Sequence, residues 1–182
     1  MGDSRSTAPR RREHAVAVGM RVFADQGLTT GAIQRVAEEI GVSQSYVFRL
    51  FGSKLAFFLA CLDEMEARVT AVFGATAAAE SAEPFEAMGA GFRELVADGT
   101  ISGLWLQASA LARGDEEVAA RCRSLITAVL TEAGRLTGAP PPALAAFLAD
   151  GALVMLLQAV GADLTGGSRA AVVRLLDETR PS

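Results

Sequence analysis

In "GVSQSYVFRLFGSK", residues 41–54, two glycines, Gly41 and Gly52, are each followed closely by a serine, Ser43 and Ser53. Glycine past a helix end takes the left-handed turn that stops it, and serine caps the next helix start. One helix is therefore confined to Ser43–Phe51. A helix of about two turns is marginal alone in water and must be held by packing. Val47, Leu50 and Phe51 give it a face to bury. Upstream, Val16, Met20 and Phe23 recur at i, i+4, i+7 between Arg11 and Gln26, and Gly27 ends that helix. Ile33, Val36, Ala37 and Ile40 then follow i, i+3, i+4, i+7 in a second helix, which starts at Thr30 or Gly31 and stops at Gly41. These faces close into one small core, a helix-turn-helix supported by a third helix.

Downstream, Leu55, Phe58, Leu59, Leu62, Met65, Val69 and Phe73 carry one helix from Ser53 to about Ala78, too long for the small head alone. Pro84 suits the first turn of the next, Phe85–Ala97, and Asp98-Gly99 breaks it. Ile101–Ala112 and Glu116–Thr137 follow, "GAPPP" turns the chain, and Ala143–Val160 is apolar on nearly every face. "TGGS" at 165–168 precedes a last amphipathic helix to about Thr179. With no long strand-like alternation, the expectation is all-α with about nine helices. It is divided into a flexible basic arm over 1–10, a helix-turn-helix head over 11–52 and a helical body over 53–182.

Composition narrows the chemistry. At 182 residues, 51% of them hydrophobic, the chain can bury a substantial core. No uninterrupted apolar run reaches bilayer length and no secretory leader is evident, so no membrane association and a soluble cytoplasmic protein are expected. His14 is the single histidine and has no cysteine near it. A zinc site of familiar spacing or a histidine-based triad cannot be assembled, and no phosphate-binding glycine motif occurs, so neither an enzyme nor a metal or other cofactor is expected. Cys61 and Cys122, far apart in apolar helical patterns, are expected as buried free thiols. The net charge of −4 hides an asymmetry. Residues 1–56 hold eight Lys/Arg against five acids, a net +3, which leaves −7 for the rest. A basic end on an acidic body is compatible with nucleic acid at that end and equally with a solvated arm.

On the short helix, Gln44, Ser45, Tyr46 and Arg49 fall away from the apolar face. Glutamine pairs bidentately with adenine, arginine with guanine, and serine or tyrosine donates to bases or phosphates, the inventory of a helix that reads a major groove. The plainer alternative is a helical hairpin with a polar outer face. Lys54 is the only lysine beside sixteen arginines, and sits in the first turn of the long helix, where the helix dipole disfavours a cation by a few tenths of a kcal/mol. A cation beside free N–H groups makes a phosphate clamp.

The stretch "FADQGLTTGAIQRVAEEIGVSQSYVFRLFGSKLAFFLACL" resembles the N-terminal DNA-binding region of the TetR family of transcriptional regulators, a likeness covering about residues 11–62. The resemblance implies a homodimer that represses a promoter until a small molecule binds, with a helical effector-binding and dimerisation domain behind the head. It places Ser43, Gln44, Ser45, Tyr46 and Arg49 at bases or nearby phosphates of a pseudo-palindromic duplex, Thr30 and Gln34 at the second helix, and Lys54 on a phosphate. Two positions depart from the family pattern. Gly31-Ala32 replaces a Thr-Thr helix start, leaving Gly31 or Thr30 as cap. Phe48 replaces a tyrosine whose hydroxyl meets a phosphate, so that contact is lost and Phe48 is expected only to pack.

For the effector, Met65, Phe92, Trp105, Gln107, Met155 and Gln158 are candidate pocket residues, with Phe73 and Met88 alongside. The glutamines lead, because a polar side chain among apolar neighbours needs a partner. Few charges flank them, which points to a hydrophobic, neutral effector. The helices near 143–160 and 168–179 carry more apolar surface than one buried face needs, as a dimer interface would, with Ala145, Ala149 and Ala152 permitting close approach. The alternative function is a helical ligand-binding or adaptor protein with a vestigial DNA-binding head.

Overall fold

A computed structural model describes residues 4–77 and 83–178. Among them nine helices and no strand form: α1 Ser4–Gln26, α2 Thr30–Glu39, α3 Gln44–Phe51, α4 Lys54–Ala77, α5 Pro84–Val96, α6 Thr100–Leu111, α7 Glu116–Thr137, α8 Pro141–Ala159 and α9 Ser168–Glu178. The all-α expectation holds. One part of it does not: the arm expected over 1–10 is not separate, because α1 begins at Ser4, while residues 1–3 lie outside the described ones. Pro9 lies inside this helix and removes one backbone donor. Alanine and arginine around it are good helix formers, and Arg11 and Arg12 gain aromatic partners on α3.

The chain divides into two compact units. The first comprises α1–α3, α4 as far as Glu66, and Gly103–Leu125; the second comprises Ala67–Ser102 and Ile126 onward. In the first, Val16, Met20, Phe23, Ile33, Val36, Ala37, Val47 and Phe51 are buried as their spacing predicts, while Ile40 and Leu50 are half-buried. The face that α4 contributes differs from the expected one. Phe57, Phe58, Cys61 and Leu62 are buried, whereas Leu55 and Leu59 are only half-buried. Phe23 meets Phe57 and Phe58 edge-on at 5.1 and 5.4 Å between centroids, and Phe51 stacks on Phe57 at 4.0 Å. Both cysteines are buried and form no disulfide, and burial pushes the Cys122 thiol up. Arg121 of α7 fastens to α4 through Asp63, at 2.7 Å, and Glu66, at 2.8 Å.

In the second unit, Phe147 of α8 packs against Phe73 and Phe85, and α8 lies against α5 and α9. Much of α8 stays uncovered: Ala145, Ala149, Ala152 and Leu156 are exposed, continued by Val160 just past the helix end and by Val173 and Leu176 of α9. By length and mean hydropathy alone α8 is apolar enough to cross a bilayer, but Asp150 interrupts its apolar run, so no uninterrupted apolar stretch in it reaches bilayer length. A carboxylate at mid-helix costs about 2.5–3.5 kcal/mol to insert.

Candidate DNA-binding surface

The presentation of α3 follows from its ends. Ser43 takes extended backbone and its Oγ accepts from the Tyr46 N–H at 3.2 Å. Upstream, Gly41 at φ +69° lets the Val42 N–H reach back to the Ala37 carbonyl, closing α2. At the other end Gly52, at φ +82°, stops α3. Ser53 Oγ accepts from Ala56 N–H at 2.9 Å and starts α4, which leaves at 66° to α3. Val47 and Phe51 turn into the core, so Ser45, Phe48 and Arg49 are exposed and Gln44 and Tyr46 half-exposed on the outer side.

The remaining candidates lie on α4 and α2. Lys54 is the first residue of α4 and half-buried. Thr30 is exposed but does not cap α2, and neither does Gly31. Thr29 does, its Oγ1 accepting from the Ala32 N–H at 3.0 Å. The helix starts two residues earlier than a Gly31 cap would require, because a threonine hydroxyl satisfies a free amide that glycine cannot. Gln34 is exposed on α2, where its amide donates to Glu38 at 3.0 Å. Next to it, Glu39 is held by Arg21 of α1 and Arg35, and the Arg21 hydrogen bond keeps its carboxyl below the usual carboxylate range.

Three features were not read from the sequence. Phe48, expected only to pack, is 38% exposed, so a large apolar ring stands among the polar groups of α3. Arg12 of α1 lies over the Phe51 ring at 4.9 Å. Arg11 reaches Tyr46, its Nη1 donating to the phenol oxygen at 3.4 Å and its guanidinium 5.8 Å from the ring centroid. Arg49 covers the same ring at 4.7 Å. Nothing in the spacing of "RRR" shows which arginines meet α3, because a charged run carries no periodicity.

The effector candidates are distributed over both compact units. Met65, Trp105 and Gln107 belong to the first unit, and Phe92, Met155 and Gln158 to the second. Met65 and Phe92 are core residues at 2% and 8% exposure, and Trp105, Met155 and both glutamines are half-buried. Each glutamine lies against a helix-ending glycine. Gln107 Oε1 is 2.8 Å from where a β-carbon on Gly27 would stand, and Gln158 Nε2 is 3.1 Å from that position on Gly99. An open groove of about 610 Å³ in the second unit is lined by Ala67, Thr70, Ala71, Ala128, Thr131 and Glu132, none of them a candidate. No cluster that could hold a metal ion occurs among the described residues.

Comparison with known proteins bears on this surface directly. Residues 15–61 match the family model for bacterial regulatory proteins, tetR family, and this match spans the second half of α1, all of α2 and α3, and the start of α4. No curated protein matches the chain. Among solved structures, a protein from Rhodococcus sp. described as a TetR-family transcriptional regulator superposes with a TM-score of 0.69 at 20% identity, covering 95% of this chain and all of that one. A transcriptional regulator from Streptomyces coelicolor A3(2) gives 0.65 at 17% identity over 95% of this chain and all of its own. A TetR-family regulator from Mesorhizobium loti gives 0.66 at 16%, covering 93% of this chain and 96% of that one. At such identities these likenesses establish the fold. Residues 15–61 match the tetR family of bacterial regulatory proteins, and the fold is the one shared with these solved TetR-family regulators.

Proposed function

We propose that the protein is a homodimeric repressor that leaves its operator when a small hydrophobic effector binds, with 11–52 as reading head and 53–182 as effector and dimerisation part. The observation that carries the DNA-reading role is the outer side of α3. Gln44, Ser45, Tyr46, Phe48 and Arg49 project from a helix whose other side is locked into the core, with Lys54 three residues past its end and Thr30 exposed at the start of α2. Phe48 suits contact with a thymine methyl, Arg49 a guanine edge, and Lys54 and Thr30 phosphates.

The apolar stripe of α8, continued by Val160, together with Val173 and Leu176 of α9, supports the dimer. Alanines let a second copy approach closely, and an isologous interface would match a two-fold operator. Two heads then meet successive major grooves about 34 Å apart. Effector binding acts by changing that spacing, and a coupling of about 1–3 kcal/mol suffices for regulation.

The test is selection of the purified protein against a random duplex library at near-physiological salt. Enrichment of a two-fold-symmetric motif is expected. Weak, salt-sensitive binding without enrichment would sink the reading and favour a ligand-binding protein with a vestigial head.

A further inference from the structure

A phenol ring clasped by two guanidiniums is an unusual thing to place on the outer side of a helix that reads DNA. Arg11 and Arg49 both lie against Tyr46, one from α1 and one from the next turn of α3. Hydroxyl oxygens can accept or donate, so a free tyrosine can address either kind of base edge. Here an Arg11 N–H already points at the phenol oxygen at 3.4 Å, which leaves the phenol proton as the group to offer outward. Two positive charges beside the ring also repel base amino groups, whose hydrogens carry partial positive charge. Every polar group of this trio that faces outward is therefore a donor.

We propose that Arg11 is a positioning residue for sequence reading: it holds Tyr46 as a hydrogen-bond donor stacked beneath Arg49, so that the pair reads an acceptor-rich base edge, guanine with its O6 and N7. This rests on the DNA-reading function proposed above and assigns it a base class. Stacking on Tyr46 holds the Arg49 fork in one plane, which is what bidentate pairing to guanine requires. Arg11 comes from a different helix, so the preference is set by how α1 packs on α3 and not by α3 alone.

The experiment compares the native protein with Arg11→Ala, Tyr46→Phe and the double variant, by library selection and by titration of the selected operator at several salt concentrations. Native protein should enrich a guanine at one fixed position in each half-site. Arg11→Ala and Tyr46→Phe should each reduce preference for that guanine by about 5–100-fold, and the double variant should lose no more than the larger single loss, since both remove one network. The salt slope should stay unchanged in Arg11→Ala. A slope reduced by about one would mean that Arg11 contacts a phosphate itself and would overturn the assignment. Additive losses, or a guanine preference untouched by Arg11→Ala, would overturn it too. Arg11 is exposed, and an unchanged thermal unfolding curve shows that the variant is folded. If native protein enriches no motif, the DNA-reading function itself fails, a result distinct from an operator that Arg11→Ala binds as the native protein does.

Discussion

Single side chains in the head divide into those that set geometry and those proposed to meet the duplex. Gly19, in the middle of α1, belongs to the first kind: a β-carbon there would stand 2.6 Å from the Phe57 ring. Gly19→Ala should therefore cost about 1–3 kcal/mol in urea unfolding, since the aromatic cluster around Phe57 has little room to give. Arg49 and Lys54 belong to the second kind. Arg49→Ala should abolish preference for the operator over random duplex while leaving far-UV circular dichroism unchanged. Lys54→Ala should weaken binding to all sequences and flatten the salt slope by about one. The roles of Tyr46 and Arg49 as outward groups were legible from spacing on a helix. Gly19 was not, because a glycine in a helical pattern does not announce which neighbour comes close.

Helices in this chain owe their boundaries to local signals and their partners to distant ones. Ser43, Ser53 and the glycines at 41 and 52 mark α3 in the sequence itself, and Ser43→Ala should cost about 1 kcal/mol by removing the bond to the Tyr46 amide. The start of α2 was harder to read, because Thr29, Thr30 and Gly31 are all acceptable caps and only the folded backbone brings the Thr29 hydroxyl to the Ala32 amide. At the corner between α8 and α9, Asp163 bonds the Thr165 hydroxyl and amide and pairs with Arg174, which hold its carboxyl below the usual carboxylate range. A depressed folded value stabilises the fold above the unfolded-state pKa, and that contribution is lost as pH falls through the folded value. Asp163→Asn should thus be indistinguishable from native protein in strong acid and less stable at neutral pH, as thermal unfolding across pH will show.

For the whole molecule, the exposed apolar stripe is the feature that a monomer would least tolerate. Leu156, Val160, Val173 and Leu176 are each more than half exposed, and scattered single hydrophobics would not align on adjacent helices in this way. Leu156→Arg combined with Leu176→Arg should give a folded monomer in sedimentation equilibrium that no longer protects an operator. A variant that remains dimeric would remove α8 and α9 from the interface. Local physics in the sequence determined the nine helices of the described residues, their glycine and serine punctuation, and the polar side of α3, because periodicity and capping act within a few residues. Tertiary structure alone decided which faces of α4 are buried, that Arg11 reaches Tyr46, and that Gln107 and Gln158 cover helix-ending glycines. Those contacts join residues tens of positions apart, and their geometry depends on how whole helices pack, which no local pattern encodes.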